Sequence, residues 1–265
     1  MSTVSLGAIQ FSCSWDRDEN VAKAERLVRQ AAERGAQVVL IPELFETPYF
    51  CAVQKSDFYE LAYPLSGHPT VTHFRRLAGE LGVVIPVSVY ERAGMALFNT
   101  VVIIDADGKV AGHYRKSHIP QAPGYEEKYY FSPGDTGFEP FATAYGKLGI
   151  AICWDQWFPE AVRALVLRGH AGANMVPAVA ANRIGREITD NVLMTFYGSS
   201  FIADHLGALA VTVDRESEQV LVLSFDLEVC RTYRQAWGCF RDRRPDLYGA
   251  LLSQDGSTRK GTCAQ

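Results

Sequence analysis

Several features are missing from this 265-residue chain, and each absence removes a class of function. No apolar stretch approaches the roughly 20 residues that cross a bilayer, so the reading is a chain with no membrane span. The first residues, MSTVSLGAIQFSCSW, have neither a basic leader nor a long apolar core and do not read as a secretion signal. No run of five like charges occurs, and the formal net charge is −4. The nearest basic cluster, FRDRRPD from Phe240 to Asp246, is interleaved with acids, which argues against a nucleic-acid surface. The six cysteines (13, 51, 153, 230, 239 and 263) include no C-x-x-C pair. Without a secretion signal they are expected to be reduced thiols in a cytoplasmic compartment. No His/Cys/Asp cluster has metal-ligand spacing, and no G-x-G-x-x-G or phosphate loop occurs, so nothing points to a metal or nucleotide cofactor.

What is present is an ordinary globular composition, 48% hydrophobic and 21% charged, in a chain long enough to bury a large core unaided. No linker or repeat divides it, so residues 1–265 read as a single domain. Val4–Gln10 is strand-like. Asn20 to Gly35 places Val21, Ala24, Leu27, Val28 and Ala31 at helical spacing. AQVVLIPE (Ala36–Glu43) is a near-continuous apolar strand, so it should be buried on both faces. Thr70–Gly82 is a second amphipathic helix, and Val83–Glu91 the next buried strand. Leu97–Lys116 is a hairpin turning at Asp105–Lys109. Gly137–Cys153 reads as a strand pair that ends at Cys153. Pro159–Gly169 is a helix, Ala173–Asn182 is strand-like, three further strands follow to Leu227, and a short helix starts at Glu228. Two β-α units followed by hairpins imply two facing sheets with helices outside, an α-β-β-α sandwich.

Four residues stand at the ends of strand-like runs or in adjoining loops: Glu43, Lys116, Glu127 and Cys153. Each has a bland reading: a solvated strand-end carboxylate, a surface lysine, a loop glutamate, a buried structural cysteine. Together they have a chemical logic. A strand that breaks abruptly into a helix projects its last side chain into a cleft, and a helix N-terminus favours a thiolate. Glu43 can take the Cys153 proton. Lys116 and the Trp154 backbone N–H can stabilise an oxyanion. Glu127 can hold the lysine charged. A Cys-His arrangement with His118 or His170 is the competing reading, though neither sits in a recognisable cysteine-protease context.

The blocks IPELFETPYF, YRKSHIP, PGYEEKYYFSPGDTGF and AICWDQWFPEAVRA resemble the nitrilase superfamily of carbon–nitrogen hydrolases, and the likeness runs from about Val4 to Leu252. The resemblance implies a four-layer α-β-β-α sandwich assembled as homo-oligomers, with no metal or organic cofactor. It also implies Glu43 as general base, Lys116 as oxyanion stabiliser, Cys153 as nucleophile and Glu127 as supporting carboxylate. The substrate would be a small carbamoylated amine.

One departure is visible. AVRALVLRG runs directly into HAGANMVPAVAANRIG at His170, where the family has a further strand, loop and helix, roughly 30 residues, the size of a β-α unit. A smaller shortening lies near REITDNVLMTFYG. Loss of a strand and its covering helix exposes sheet edge and apolar face. It also removes a pocket wall beside Cys153, and with it a partner for the far ammonium of a carbamoylated diamine. Either NMVPAVAAN keeps its place and leaves a gap, or it slides into the vacated position with Ala171–Ala173 as a tight connection. The expectation is weak turnover and exposed apolar surface. The alternatives are a catalytically weak oligomer partner and an amidase acting on another small carbamoyl or amide substrate.

Overall fold

A computed structural model describes residues 3–168 and 175–257. Strand β1 (Thr3–Gln10) leads to helix α1 (Arg17–Glu33), strand β2 (Val38–Leu40), helix α2 (Pro69–Leu81) and the hairpin strands β3 (Ile85–Ala93), β4 (Ala96–Ile104) and β5 (Val110–Arg115). A one-turn helix α3 (Glu127–Tyr130), strands β6 (Phe141–Thr143) and β7 (Gly146–Leu148), and helix α4 (Pro159–Leu167) follow. Strands β8 (Ala178–Ala180), β9 (Ile184–Thr189), β10 (Val192–Tyr197), β11 (Phe201–Ala203), β12 (Leu209–Thr212) and β13 (Gln219–Asp226), then helix α5 (Leu227–Trp237), complete the order.

Strands run β13-β1-β2 on one side and β3-β4-β5 on the other, joined where Val38 bridges Val84 in parallel. A second sheet has the order β12-β11-β8. The alternation of side chains along a strand divides the core in two. Ile9 and Phe11, Val102 and Ile104 face a cluster with Leu27, Val28, Phe74 and Leu77 of α1 and α2. Leu6 and Ala8, Val101 and Ile103 face a second cluster with Ile150, Ile152, Ile202 and Phe225. One apolar layer thus lies between helices and sheet and another between sheet and sheet, as the sandwich reading requires.

Three local expectations are corrected. The strand foreseen over Ala36–Glu43 is paired only at Val38–Leu40, because Glu43–Glu46 form a turn with Leu44 in the left-handed region at φ +46°. The strand pair foreseen up to Cys153 stops at Leu148. Residues 149–152 are outside any strand, although Ile150 and Ile152 remain buried. A strand–helix–strand connection commonly places the next strand beside the first, but β8, the next strand after α4 among the described residues, pairs with β11 and not with residues 149–152. The third correction is an addition: β9 and β10 form a hairpin closed by Asp190 and Asn191, which the sequence pattern did not reveal. The Gly169–His170 junction and the proposed Ala171–Ala173 connection lie outside the described residues. Among the described residues no helix is long and apolar enough to cross a membrane.

Candidate active site

Glu43 sits on the turn that ends β2. Ser88 Oγ accepts the Leu44 N–H at 2.9 Å, and Asn99 Nδ2 donates to Glu43 Oε1 at 2.6 Å, so β3 and β4 both fix the turn. Lys116 follows β5 directly, its N–H donating to the Asn99 carbonyl at 2.8 Å. Gly134 N–H donates to the Lys116 carbonyl at 2.8 Å. A Cβ at Gly134 would fall 2.0 Å from the Arg115 carbonyl oxygen, so glycine is required for this close approach. The Lys116 side chain is fully buried, and its Nζ donates to Glu43 Oε1 at 2.9 Å and to Glu127 Oε2 at 2.8 Å. Glu127, first residue of α3 and also buried, accepts the Tyr49 hydroxyl at 2.8 Å on its other oxygen. Burying Lys116 and Glu127 beside a half-buried Glu43 is tolerable because each is paired.

Cys153 opens a 3-10 turn, Cys153–Trp157, with φ +45°. Such a conformation in a residue with a Cβ costs about 1–3 kcal/mol and persists only where the surroundings impose it. Asp155 imposes it here. This residue is fully buried; Oδ2 accepts the Ile152 N–H at 3.0 Å and the Tyr114 hydroxyl at 2.7 Å. Its Oδ1 accepts the His118 N–H at 3.0 Å and lies 2.7 Å from His118 Nδ1. The His118 ring stacks on Phe158 with centroids 3.7 Å apart. The segment after Lys116 and the turn at Cys153 are thereby tied together. His118 is a strut of this turn and not a partner of the thiol; His170 lies outside the described residues. Cys153 itself is exposed to solvent. The Trp154 N–H lies in the first turn, where amides lack an acceptor within the helix.

The electrostatics couple all four groups. Burial works against the Glu43 charge, but the Lys116 ammonium, the bonds from Lys116 and Asn99, and the Arg183 guanidinium outweigh it, so its carboxyl is held below the usual range. Glu127 is shifted the other way: burial, with the Glu43 charge adding, outweighs Lys116 and Tyr49. Burial opposes the Lys116 charge, yet the Glu43 and Glu127 carboxylates dominate and hold it firmly protonated. The Cys153 thiol is pushed well up by desolvation and by Glu43 and Glu127, against the pull of Lys116. Because the residue is exposed, the carboxylate charges carry more of that push than burial does. The arrangement suits a thiol that gives up its proton to an adjacent carboxylate on attack, beside a fixed cation.

The family model described as carbon-nitrogen hydrolase matches residues 5–171 and 164–235. The chain belongs to the carbon–nitrogen hydrolase family. It is 51% identical to N-carbamoylputrescine amidase of Arabidopsis thaliana, covering 96% of this chain and 97% of that one. It is 40% identical to a citrullinase of Francisella tularensis, covering 95% and 99%. The solved carbon-nitrogen hydrolase from Helicobacter pylori G27 superposes with a TM-score of 0.89 at 33% identity, covering 95% of this hydrolase and 99% of that chain. The two matched stretches overlap at residues 164–171. In the alignment with the Arabidopsis enzyme, 96% of 265 residues, about 254, spread over 289 positions; about 35 positions therefore have no counterpart here, enough for a strand, loop and helix.

Sequence reasoning did not single out Asn99, Tyr49, Asp155 or Arg183. Asn99 carried a signal, a polar side chain inside the apolar run Leu97–Ile104. Arg183 carried none, since its role depends on a turn 140 residues earlier.

Proposed function

We propose that this hydrolase cleaves the ureido C–N bond of N-carbamoylputrescine through a covalent intermediate on Cys153. The observation that carries the reading is the single Lys116 ammonium shared between Glu43 and Glu127 beside the Cys153 thiol. Similarity to the Arabidopsis amidase supports the substrate. In the first half-reaction Cys153 Sγ passes its proton to Glu43 and bonds to the carbamoyl carbon. Lys116 Nζ and the Trp154 N–H hold the oxygen that gains negative charge. The C–N bond to the terminal nitrogen breaks, and ammonia leaves with the proton from Glu43. An N-alkyl thiocarbamate remains on Cys153. Water, deprotonated by Glu43, then breaks the C–S bond, and the released carbamic acid decomposes to putrescine and carbon dioxide. Glu127 keeps Lys116 in place throughout.

The missing unit sets the scale. With that wall absent the far ammonium loses a partner, so binding is weak while the chemistry is retained. Exposed Trp157, Leu193 and Trp237 support assembly with copies of the chain, and the unpaired cysteines support a reducing, cytoplasmic setting. A second reading is favoured by the 40% identity to citrullinase, whose substrate shares the ureido group.

Ammonia release from N-carbamoylputrescine and from citrulline tests both. Slow release from the diamine that disappears in Cys153→Ser supports the first reading, and preference for citrulline favours the second. Release that survives Cys153→Ser overturns both. Turnover equal to that of a relative carrying the extra unit, with a sharp cooperative melt, overturns the part assigned to the missing wall.

A further inference from the structure

The turn that carries Glu43 is held from the far side of the missing unit. Arg183, between β8 and β9, is almost fully buried. Its Nη2 donates to the Glu43 carbonyl at 2.7 Å and to the Leu44 carbonyl at 2.9 Å. Its Nη1 donates to the Thr47 carbonyl at 3.1 Å and to both oxygens of Glu187, on β9, at 3.0 and 3.1 Å. Glu187 Oε2 in turn accepts the Tyr49 N–H at 2.6 Å. The guanidinium lies 5.2 Å from the centre of the Phe196 ring on β10. One ion pair thus fastens residues 43, 44, 47 and 49, every bond going to their backbone.

These are carbonyls that the sheet cannot satisfy. Leu44 at φ +46° ends the extended run of β2, and the Glu43 and Leu44 carbonyls on this turn accept from Arg183 instead of from a neighbouring strand. The guanidinium fork offers several N–H groups in a fixed plane, whereas an ammonium is a point charge on a flexible stem. A buried Arg–Glu pair is a poor way to add stability, since an apolar pair of similar volume serves as well or better. What the pair supplies here is geometry, at the one residue read as the general base.

We propose that Arg183 is a positioning residue for the reaction: by clasping the backbone of Glu43 and its neighbours, with Glu187 as its anchor, it aims the Glu43 carboxylate at Cys153 and Lys116. It explains why the β9–β10 hairpin remains docked although the strand and helix before it are lacking. The proposal rests on the reading of Glu43 as base. The titratable and charged groups around Glu43 are Lys116 from the end of β5, Glu127 from α3, Tyr49 and Cys51 from its own loop, the Cys153 thiol, and Arg183. Arg183 adds to the lowering of Glu43, which gives a second readout.

The test uses the full chain with Arg183→Lys and the volume-conserving double variant Arg183→Met with Glu187→Met, each checked for folded fraction by near-ultraviolet circular dichroism. Arg183→Lys keeps the charge and loses the fork; kcat for Cys153-dependent ammonia release is expected to fall at least 10-fold, with KM within 2-fold and the acid limb of the pH profile in place. The double variant is expected to lose as much and to shift the acid limb to higher pH, because Glu43 loses a cation that favours its charged form. A purely structural staple would lower the melting temperature without separating the two variants in pH. Unchanged kcat in Arg183→Lys, or losses that track the folded fraction, overturns the proposal. If the parent chain releases no ammonia, the functional reading fails separately. Alkylation of Cys153 by iodoacetamide at pH 8 then decides the geometry: a displaced Glu43 stops raising the thiol and the rate rises at least 3-fold in Arg183→Lys, whereas an unchanged rate overturns the clasp.

Discussion

Residues 3–131 and residues 141–168 with 175–257 are built to different standards. In the first stretch β3 and β4 pair over nine residues each, and Phe45, Phe50, Phe74 and Leu77 are wholly or almost wholly enclosed. In the second stretch several strands have three residues, and Ile188, Trp157 and Trp237 keep more than half of their surface in solvent and Leu193 nearly half. Glu43, Lys116 and Glu127 belong to the first, Cys153 to the second. Three of the four groups therefore sit in a packed frame, with the Glu43 turn also clasped by Arg183 from the second stretch, and the fourth is held by the ties from Asp155 and the His118–Phe158 stack. The lesson is that the charges of a site can stay in order where the packing around one of its members is thin.

The largest effect expected on that contrast comes from Lys116→Met. It leaves the buried Glu127 and the half-buried Glu43 together without their cation, a loss of about 3–5 kcal/mol. It also removes the oxyanion partner, worth about 100-fold or more in ammonia release. Urea midpoints and release assays should both move; a variant of parental stability would mean the Glu43–Lys116–Glu127 cluster is not closed as described. Next, Phe74→Ala should cost about 3–5 kcal/mol, the cavity cost in a core that cannot collapse. Leu193→Ala should stay within about 0.5 kcal/mol. Equal losses in the two variants would erase the distinction between the stretches.

A third test rebuilds the thin side. Inserting the strand–loop–helix unit of a relative between Gly169 and His170 should restore a partner for the far ammonium. A charged hydrogen bond of about 1.5–3 kcal/mol corresponds to roughly a 10- to 100-fold lower KM. Binding of an apolar dye should drop at the same time. Unchanged KM in a folded insertion variant would show that the wall does not recognise the ammonium.

The sequence carried the packed stretch well because its signals are local. Val21, Ala24, Leu27, Val28 and Ala31 mark α1 by spacing alone, and Asp105–Lys109 marks its hairpin by turn chemistry. The four-group site was legible because each residue ends or adjoins a strand-like run. What stayed hidden was non-local. Residues 149–152 lie outside any strand although the run is apolar, because pairing needs a neighbouring strand and apolar periodicity is blind to neighbours. Asp155 looked like one more polar residue among tryptophans; only the approach of Tyr114 and His118 turns it into the brace of Cys153. Arg183 reaches back to carbonyls that no pattern of side chains encodes.

The smallest effect probes the join between the two stretches, where a carboxylate of one acts on the sulfur of the other. The Glu43 charge raises the Cys153 thiol. The parent thiol should therefore alkylate slowly near neutrality, with a rate that keeps climbing as pH rises past the ordinary thiol value of 9.0. Glu43→Gln removes the negative charge and leaves Lys116, which favours the thiolate. The sign is then opposite to that of turnover: ammonia release disappears, while iodoacetamide labelling of Cys153 at pH 8 becomes a few-fold faster. Labelling that slows together with turnover would mean that Glu43 draws the proton from Cys153 already at rest, as a preformed ion pair. The coupling across the join would then be one of proton sharing, not of charge held in reserve until the substrate arrives.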